Sequence, residues 1–307
     1  MKAFTTFNIK SLLAINLTVF LGIFTEACSR SRETGQKEIS RESAGSHRLT
    51  GQVISKNKER HSLLVDHDEI PGYMPRMTME FSVGADDWAL ASNGALLQAN
   101  LVEGTNGEFS LTDIWWKDTK ADVRVRNSAL SLHEDTKRRG RAAYRRIGEN
   151  LPDFVLYNQD GVVTEPTRWK GKQIMMNFIF TRCTVATMCP ASTAKMIQVQ
   201  YLAKESGVNN LELVSITLDP EYDTPTVLRN YATARGIDTS NFTFLTGPEG
   251  AIKDLFKQFG ILTEMRGGVL NHTLATLLID EQGRICWRVD GSTWQPADFV
   301  KQMKKPR

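Results

Sequence analysis

Met176-Asn177-Phe178-Ile179-Phe180-Thr181-Arg182-Cys183-Thr184-Val185-Ala186-Thr187-Met188-Cys189-Pro190 decides the fold of the larger part of the chain. The apolar run from Ile174 to Phe180 reads as a strand buried on both faces. It stops at Thr181-Arg182, and two cysteines follow with five residues between them. Pro190 comes directly after the second cysteine. It suits the first turn of a helix, where its missing N–H costs nothing, and Ala191 to Ala203 carries helix formers. Both thiols are therefore expected in a strand-to-helix connection near a helix N-terminus. That position favours thiolates, because unpaired N–H groups and the helix dipole stabilise negative charge. Thiols placed in this way serve thiol–disulfide exchange or bind a soft metal.

Outward from this stretch, Leu151-Pro152 opens the surrounding unit. Asn158-Gln159-Asp160-Gly161 is a hairpin signature between Phe154–Tyr157 and Val162–Thr164. After the cysteine helix, Leu211 to Leu218 is a second apolar strand that ends in Asp219-Pro220. Thr224 then caps a helix with Pro225 at its first position, running to about Arg235. Phe242 to Leu245 is a short strand and Glu249 to Phe259 a helix. Leu274–Ile279 and Arg284–Arg288 form a hairpin about Asp280-Glu281-Gln282-Gly283, and Pro296 to Lys304 is the last helix. Strand–helix–strand–helix followed by a hairpin and a helix is α/β thioredoxin-like order.

In thioredoxins the loop before the hairpin faces the cysteine loop and ends in a cis-proline. Here no proline stands in that loop, and His272 does, in Gly267-Gly268-Val269-Leu270-Asn271-His272-Thr273. A lone histidine is usually a surface or hydrogen-bonded core residue. Two thiolates and an imidazole at one edge of a sheet are instead a soft three-ligand site, suited to three-coordinate Cu(I) or to Cu(II) with one further ligand. Cys286, mid-strand in the hairpin, reads as a small buried hydrophobe.

Residues 47–117 have a different texture. Leu49 to Ile54 reads as a strand, His61 to His67 alternates with Leu63, Val65 and His67 on one face, and Pro71-Gly72 marks a turn. Met74-Pro75-Arg76-Met77-Thr78-Met79-Glu80-Phe81 follows, then a strand at Phe109–Trp116. Short strands with turn signals in so small a space predict a small all-β, OB-like barrel. Met77 and Met79 project from one face and Thr78 from the other. Met74 lies just upstream, and His67 can face them across the turn. Thioethers with an imidazole suit Cu(I) or Ag(I), although methionines commonly serve as core filler. Residues 118–149 are strongly basic with sparse apolar points. They read as a charged, partly helical linker, whose cations either contact anionic lipid or an acidic partner or are simply solvated.

The N-terminus bears on compartment. Lys2 and Lys10 precede an apolar stretch, Leu12 to Phe24, with the length of a signal-peptide core and short for a membrane span. Ala27-Cys28 follows, so residues 1–28 read as a lipoprotein signal with Cys28 as the lipidated residue. Cleavage without lipidation and an uncleaved anchor are the alternatives. Residues 29–46, polar and without apolar period, read as a flexible tether. The protein is expected to be exported, on the periplasmic face, and held to the membrane. The chain of 307 residues has room for two domains, its net charge of +3 gives no argument for nucleic acid, and its 4 cysteines are too few for a disulfide scaffold.

Two resemblances follow from these motifs. Residues 150–307 resemble the Sco/SenC family of copper-binding thioredoxin-fold proteins, on Asn177–Cys183, Cys189-Pro190, Asp219-Pro220, Asp223-Thr224-Pro225 and Asn271-His272-Thr273. The resemblance implies copper ligands at Cys183, Cys189 and His272, a redox disulfide between the two cysteines, and Asp219 beside the site as a supporting or partner-facing residue. The family has three residues between its cysteines, whereas this chain has five. Residues 47–117 resemble the CusF-like copper- and silver-binding family, above all over His67–Phe81. That implies ligands at His67, Met77 and Met79, with Met74 where the family places a tryptophan over the metal. Together they imply a metallochaperone that delivers copper to the copper-accepting subunit of a respiratory terminal oxidase. A thiol–disulfide oxidoreductase that reduces the client's cysteines, itself served by a thiol reductant protein, and a copper buffer for tolerance are the competing functions. No catalytic residue is assigned.

Overall fold

Alternation of apolar and polar side chains curls the first strands into a closed sheet. The computed structural model describes residues 47–305 except 106 and 267–268; the signal, Cys28 and the tether lie outside the described residues. Strands β1 (His47–Asn57), β2 (Ser62–His67), β3 (Met77–Ser82), β4 (Leu96–Glu103) and β5 (Phe109–Lys117) close in the order β1-β2-β3-β5-β4, and β4 returns to β1. β3 and β5 meet in parallel and the other pairs are antiparallel. A short helix, α1 (Ala85–Leu90), joins β3 to β4. Leu49, Val53, Leu63, Val65, Phe81, Leu97 and Leu101 fill the interior. Gly51 is required where β1 crosses β2: a Cβ there would stand 2.7 Å from the Asp66 carbonyl oxygen and 2.9 Å from the His67 Cα.

The basic stretch expected as a linker is for most of its length one helix, α2 (Thr119–Arg139), capped by the Asp118 carboxylate. It is docked, not free. Val125, Leu132 and Thr136 are buried, and Leu132 joins the core of the larger sheet. Its few apolar side chains are scattered among charges, and Val123 and Leu130 face solvent, so its sequence resembles a solvated helix.

The rest of the chain contains β6 (Leu156–Asn158), β7 (Val163–Thr164), β8 (Gln173–Ile179), α3 (Cys189–Glu205), β9 (Leu211–Thr217), α4 (Pro225–Ala234), β10 (Phe242–Thr246), α5 (Glu249–Phe259), β11 (Thr263–Arg266), β12 (Val269–His272), β13 (Ala275–Ile279), β14 (Ile285–Asp290) and α6 (Pro296–Met303). Seven strands form one sheet in the order β14-β13-β8-β9-β10-β6-β7. Its centre, β8-β9-β10, is parallel and wholly buried, as the continuous apolar runs require. β11 and β12 form a separate two-stranded sheet. α2 is pinned to α5 where Gln258 Nε2 donates to Asp135 Oδ2 at 3.0 Å and to Thr136 Oγ1 at 2.9 Å.

The barrel rests on α4: Thr226 Oγ1 donates to the Ile114 carbonyl oxygen at 2.8 Å, and Asn230 Nδ2 to Asp113 Oδ1 at 3.2 Å. Trp115 meets Tyr157 edge-on with ring centroids 4.8 Å apart. Among the described residues no helix is long and apolar enough to cross a membrane.

Candidate metal centre

β8 ends at Ile179, and the chain turns through Thr181–Met188 before Cys189 begins α3 with Pro190 in its first turn. Thr181 is held from below by Asp223. That buried carboxylate accepts from the Thr181 amide at 3.2 Å, from the Thr181 hydroxyl, and from Thr217 Oγ1 at 2.5 Å. Beside it, Arg182 donates from Nε to Asp219 Oδ2 at 3.0 Å and lies over the Tyr222 ring at 4.3 Å. The Asp219 side chain thus supports the loop through Arg182. Sequence reading gave Asp223 no role, although it stood inside a quoted motif. Asp-Thr-Pro before a helix reads as a cap, and only the fold shows the carboxylate reaching Thr181.

Cys189 is buried, Cys183 is half-buried, and both are free thiols. His272, at the end of β12 and opposite Thr263, brings its imidazole over them. Its Nδ1 donates to the Thr273 carbonyl oxygen at 3.0 Å, which leaves the Nε2 lone pair facing Cys189 Sγ at 3.4 Å. Phe180 packs against the ring with centroids 5.5 Å apart. The ligand atoms of Cys183, Cys189 and His272 all lie within 4.8 Å of one another. The five-residue spacing therefore does not keep the donors apart.

One electrostatic expectation is corrected. The helix N-terminus was expected to favour thiolates at both cysteines, yet burial pushes the Cys189 thiol well above its ordinary range. Desolvation at the base of the loop outweighs the helix dipole. Burial also lowers the His272 imidazole, which favours the neutral, ligating form. A cavity of ≈ 640 Å³ opens in front of Cys183, with Phe180, Leu218, Ile252 and Phe256 among its walls and Arg182 and Lys253 at its edge. Cys286 is half-buried, and its thiol donates to the Leu278 carbonyl oxygen at 3.0 Å.

In the barrel, His67 is 0% exposed and pairs across the strands with Met77, while Met79 pairs with Val65. Met77 is 43% exposed; Met79 and Met74 pack against the barrel core. Met74 bridges back to Ile70 in the turn. The His67 Nδ1 lies 2.7 Å from the Asp68 carbonyl oxygen and donates to it, so Nε2 is an acceptor; it is buried and has no partner among the described residues. A buried imidazole lone pair left unsatisfied next to a methionine fits a soft cation as its missing partner.

A thioredoxin-like sheet that presents two thiols and an imidazole at the start of α3 defines a thiol-based, soft-metal-binding protein. The chain belongs to the SCO1/SenC family, whose model matches residues 144–306. It is 35% identical over 158 residues to the SCO1 protein homolog of Bacillus subtilis, across 50% of this chain and 80% of that protein. It is similar to the crystal structure of a SCO1/SenC family lipoprotein from Bacillus anthracis, at 31% identity over 52% of this chain and 97% of the other, with a TM-score of 0.48. A second solved structure, of a Sco family cytochrome c oxidase assembly protein, is 26% identical over 52% of this chain and 95% of that one, with a TM-score of 0.46.

Proposed function

We propose that this protein is an exported copper metallochaperone that hands copper to the copper-accepting subunit of a respiratory terminal oxidase. The observation that carries the reading is the convergence of Cys183, Cys189 and His272 within 4.8 Å, a donor set that favours Cu(I) over hard cations. Membership of the SCO1/SenC family supports it, and the oxidase as receiver comes from the family resemblance. Copper is cargo here. The chain's own residues offer two thiolates and an imidazole on binding, take up its positive charge as the thiols lose their protons, and keep a half-buried donor, Cys183, turned to the cavity through which a receiver reaches it.

The closed sheet serves, in this reading, as an OB-like, CusF-like copper domain. Its strand order, with a helix between β3 and β4, supports that assignment, as does the unpartnered His67 Nε2 opposite Met77. His67, Met77 and Met79, with Met74 as a further thioether, would hold Cu(I) more loosely than thiolates do. Cys28 and residues 29–46 would tether the whole to the membrane.

A thiol–disulfide reductase is the second reading, favoured by two free thiols lying within disulfide-forming reach of a small loop movement. The half-buried Cys183 would then be the attacking thiol and Cys189 the resolving one.

Titration of the reduced full chain with Cu(I) in competition with a chelator tests the first reading, with two equivalents bound as the expected result. If no copper is taken up, the chaperone and buffer functions both fall, and a thiol–disulfide exchange assay on the same sample decides whether the reductase remains.

A further inference from the structure

A cavity of ≈ 450 Å³ lies where the barrel, α2 and the larger sheet meet. Arg48 of β1, Lys117 of β5 and Arg126 of α2 line it, and among the described residues none of the three makes an ion pair or a side-chain hydrogen bond. Lys117 has only the face of Trp115, with Nζ 3.1 Å from the ring centroid. Burial lowers the Lys117 ammonium to about 8 and also lowers the Arg48 guanidinium, outweighing the opposing pull of Asp122 on the first and of Glu221 and Asp219 on the second. Three carboxylates share the wall. Glu249 is paired with Lys253 at 2.5 Å, Asp122 accepts the Tyr157 hydroxyl, and Glu221 attracts Arg48 without a salt bridge to it. Three cations therefore face three carboxylates across the wall, yet none of the three cations is drawn into an ion pair with them among the described residues, and Arg48 and Lys117 are the two held further from water.

We propose that this cavity binds a phosphate group, held by Arg48, Lys117 and Arg126. The three cations reach it from three separate elements. A tetrahedral oxyanion offers oxygens in several directions, whereas a carboxylate offers two in one plane, and guanidinium forks match phosphate oxygens in pairs. The phosphate group comes either from free inorganic phosphate or from the headgroup of an anionic phospholipid. The site borders the cavity in front of the thiols, with Pro220, Glu221 and Glu249 in the wall of both.

The test is calorimetric titration of the full chain at pH 7 with sodium phosphate, at constant ionic strength in chloride, together with sedimentation with vesicles of phosphatidylcholine alone or mixed with phosphatidylglycerol. Wild type, Lys117→Met, Arg48→Gln and Arg126→Gln are compared. Binding of inorganic phosphate weakened about tenfold or more in each variant supports a free-phosphate site. Capture by phosphatidylglycerol vesicles that the variants lose, without binding of free phosphate, supports the headgroup. Lys117→Met keeps the stem and removes an unpaired cation, so it melts no lower than wild type in phosphate-free buffer, which checks folding. Absence of both kinds of binding, or binding equal in wild type and variants, overturns the proposal.

Discussion

The His272 Nε2 lies 3.4 Å from the Cys189 Sγ, although 83 residues separate the two in sequence. The imidazole is set for that approach. Its Nδ1 proton is committed to the Thr273 carbonyl oxygen, and its ring is braced by Phe180. Replacement of any donor should therefore cost the site and spare the fold. His272→Ala, Cys183→Ser and Cys189→Ser are each expected to weaken the tighter Cu(I) equivalent by at least about a hundredfold, since even outer partners of metal ligands contribute 10–100-fold. Chelator competition measures this, with far-UV circular dichroism as the check on folding.

Loss of Met77 and Met79 together should weaken the other equivalent only. Met77→Ala with Met79→Ala leaves Cys183, Cys189 and His272 in place, so the tighter equivalent should be unchanged in the same titration. A drop in the tighter equivalent would mean that the two sites are not independent.

Gly51→Ala probes the position of His67. The added methyl would stand 2.7 Å from a backbone oxygen and 2.9 Å from the His67 Cα, neither of which can swing aside. The expected cost is roughly 1–3 kcal/mol, as for other overpacking changes, read by thermal unfolding. The weaker Cu(I) equivalent should decline in parallel.

Asp223 gives a pH dependence with a definite sign. Burial raises its carboxyl from the ordinary 3.8 to about 6, against the pull of the Thr181 and Thr217 donors. A folded pKa above the unfolded one means that the fold prefers the protonated form. The contribution is fully present below about 4 and is lost as pH rises through about 6. Asp223→Asn has no such titration. The stability of wild type relative to this variant should fall between pH 4 and pH 7.5 by up to about 3 kcal/mol, at 1.36 kcal/mol per pKa unit. Denaturant midpoints at a series of pH values measure it, and a flat or rising difference would refute it.

Arg182→Ala removes both the contact to Asp219 and the stacking on Tyr222 next to Cys183. The pair is partly exposed, so global stability should change by less than about 1 kcal/mol. Release of Cu(I) to a competing chelator should nevertheless become several-fold faster, because the residue before the outer thiol loses its anchor. Stopped-flow transfer measures the rate.

Much of this architecture was legible because its signals are local. The run Ile174–Phe180, Pro190 after Cys189, and Thr224 before Pro225 each fix a boundary by a nearest-neighbour rule, and each stands where expected: Thr224 Oγ1 does accept from the Val227 amide, at 3.3 Å. The donors of the larger centre were legible through resemblance, since no local rule brings residue 272 to residue 189. The ribbon β11–β12 was missed although Gly267-Gly268 between two short runs is a two-residue hairpin signal. Its strands carry no apolar alternation, so period gave no cue. The docking of α2 was missed for the opposite reason: its few buried residues are diluted among charges, and some of the contacts that seat it, such as Gln258 to Asp135, are polar. The depth of Cys189 was invisible as well, because a helix N-terminus is recognised from sequence whereas burial of that terminus depends on what packs over it.

The ribbon that carries His272 has a mechanical consequence. Among the described residues β11 and β12 pair only with each other, while Cys189 is rooted in the helix behind the main sheet. Drawing the imidazole away from the sulfur severs no rung of the seven-stranded ladder. In the delivery role proposed above, an arriving ligand would therefore compete with one side chain on an outrigger and leave the hull untouched, which would make unloading easy in a protein whose scaffold is hard to open.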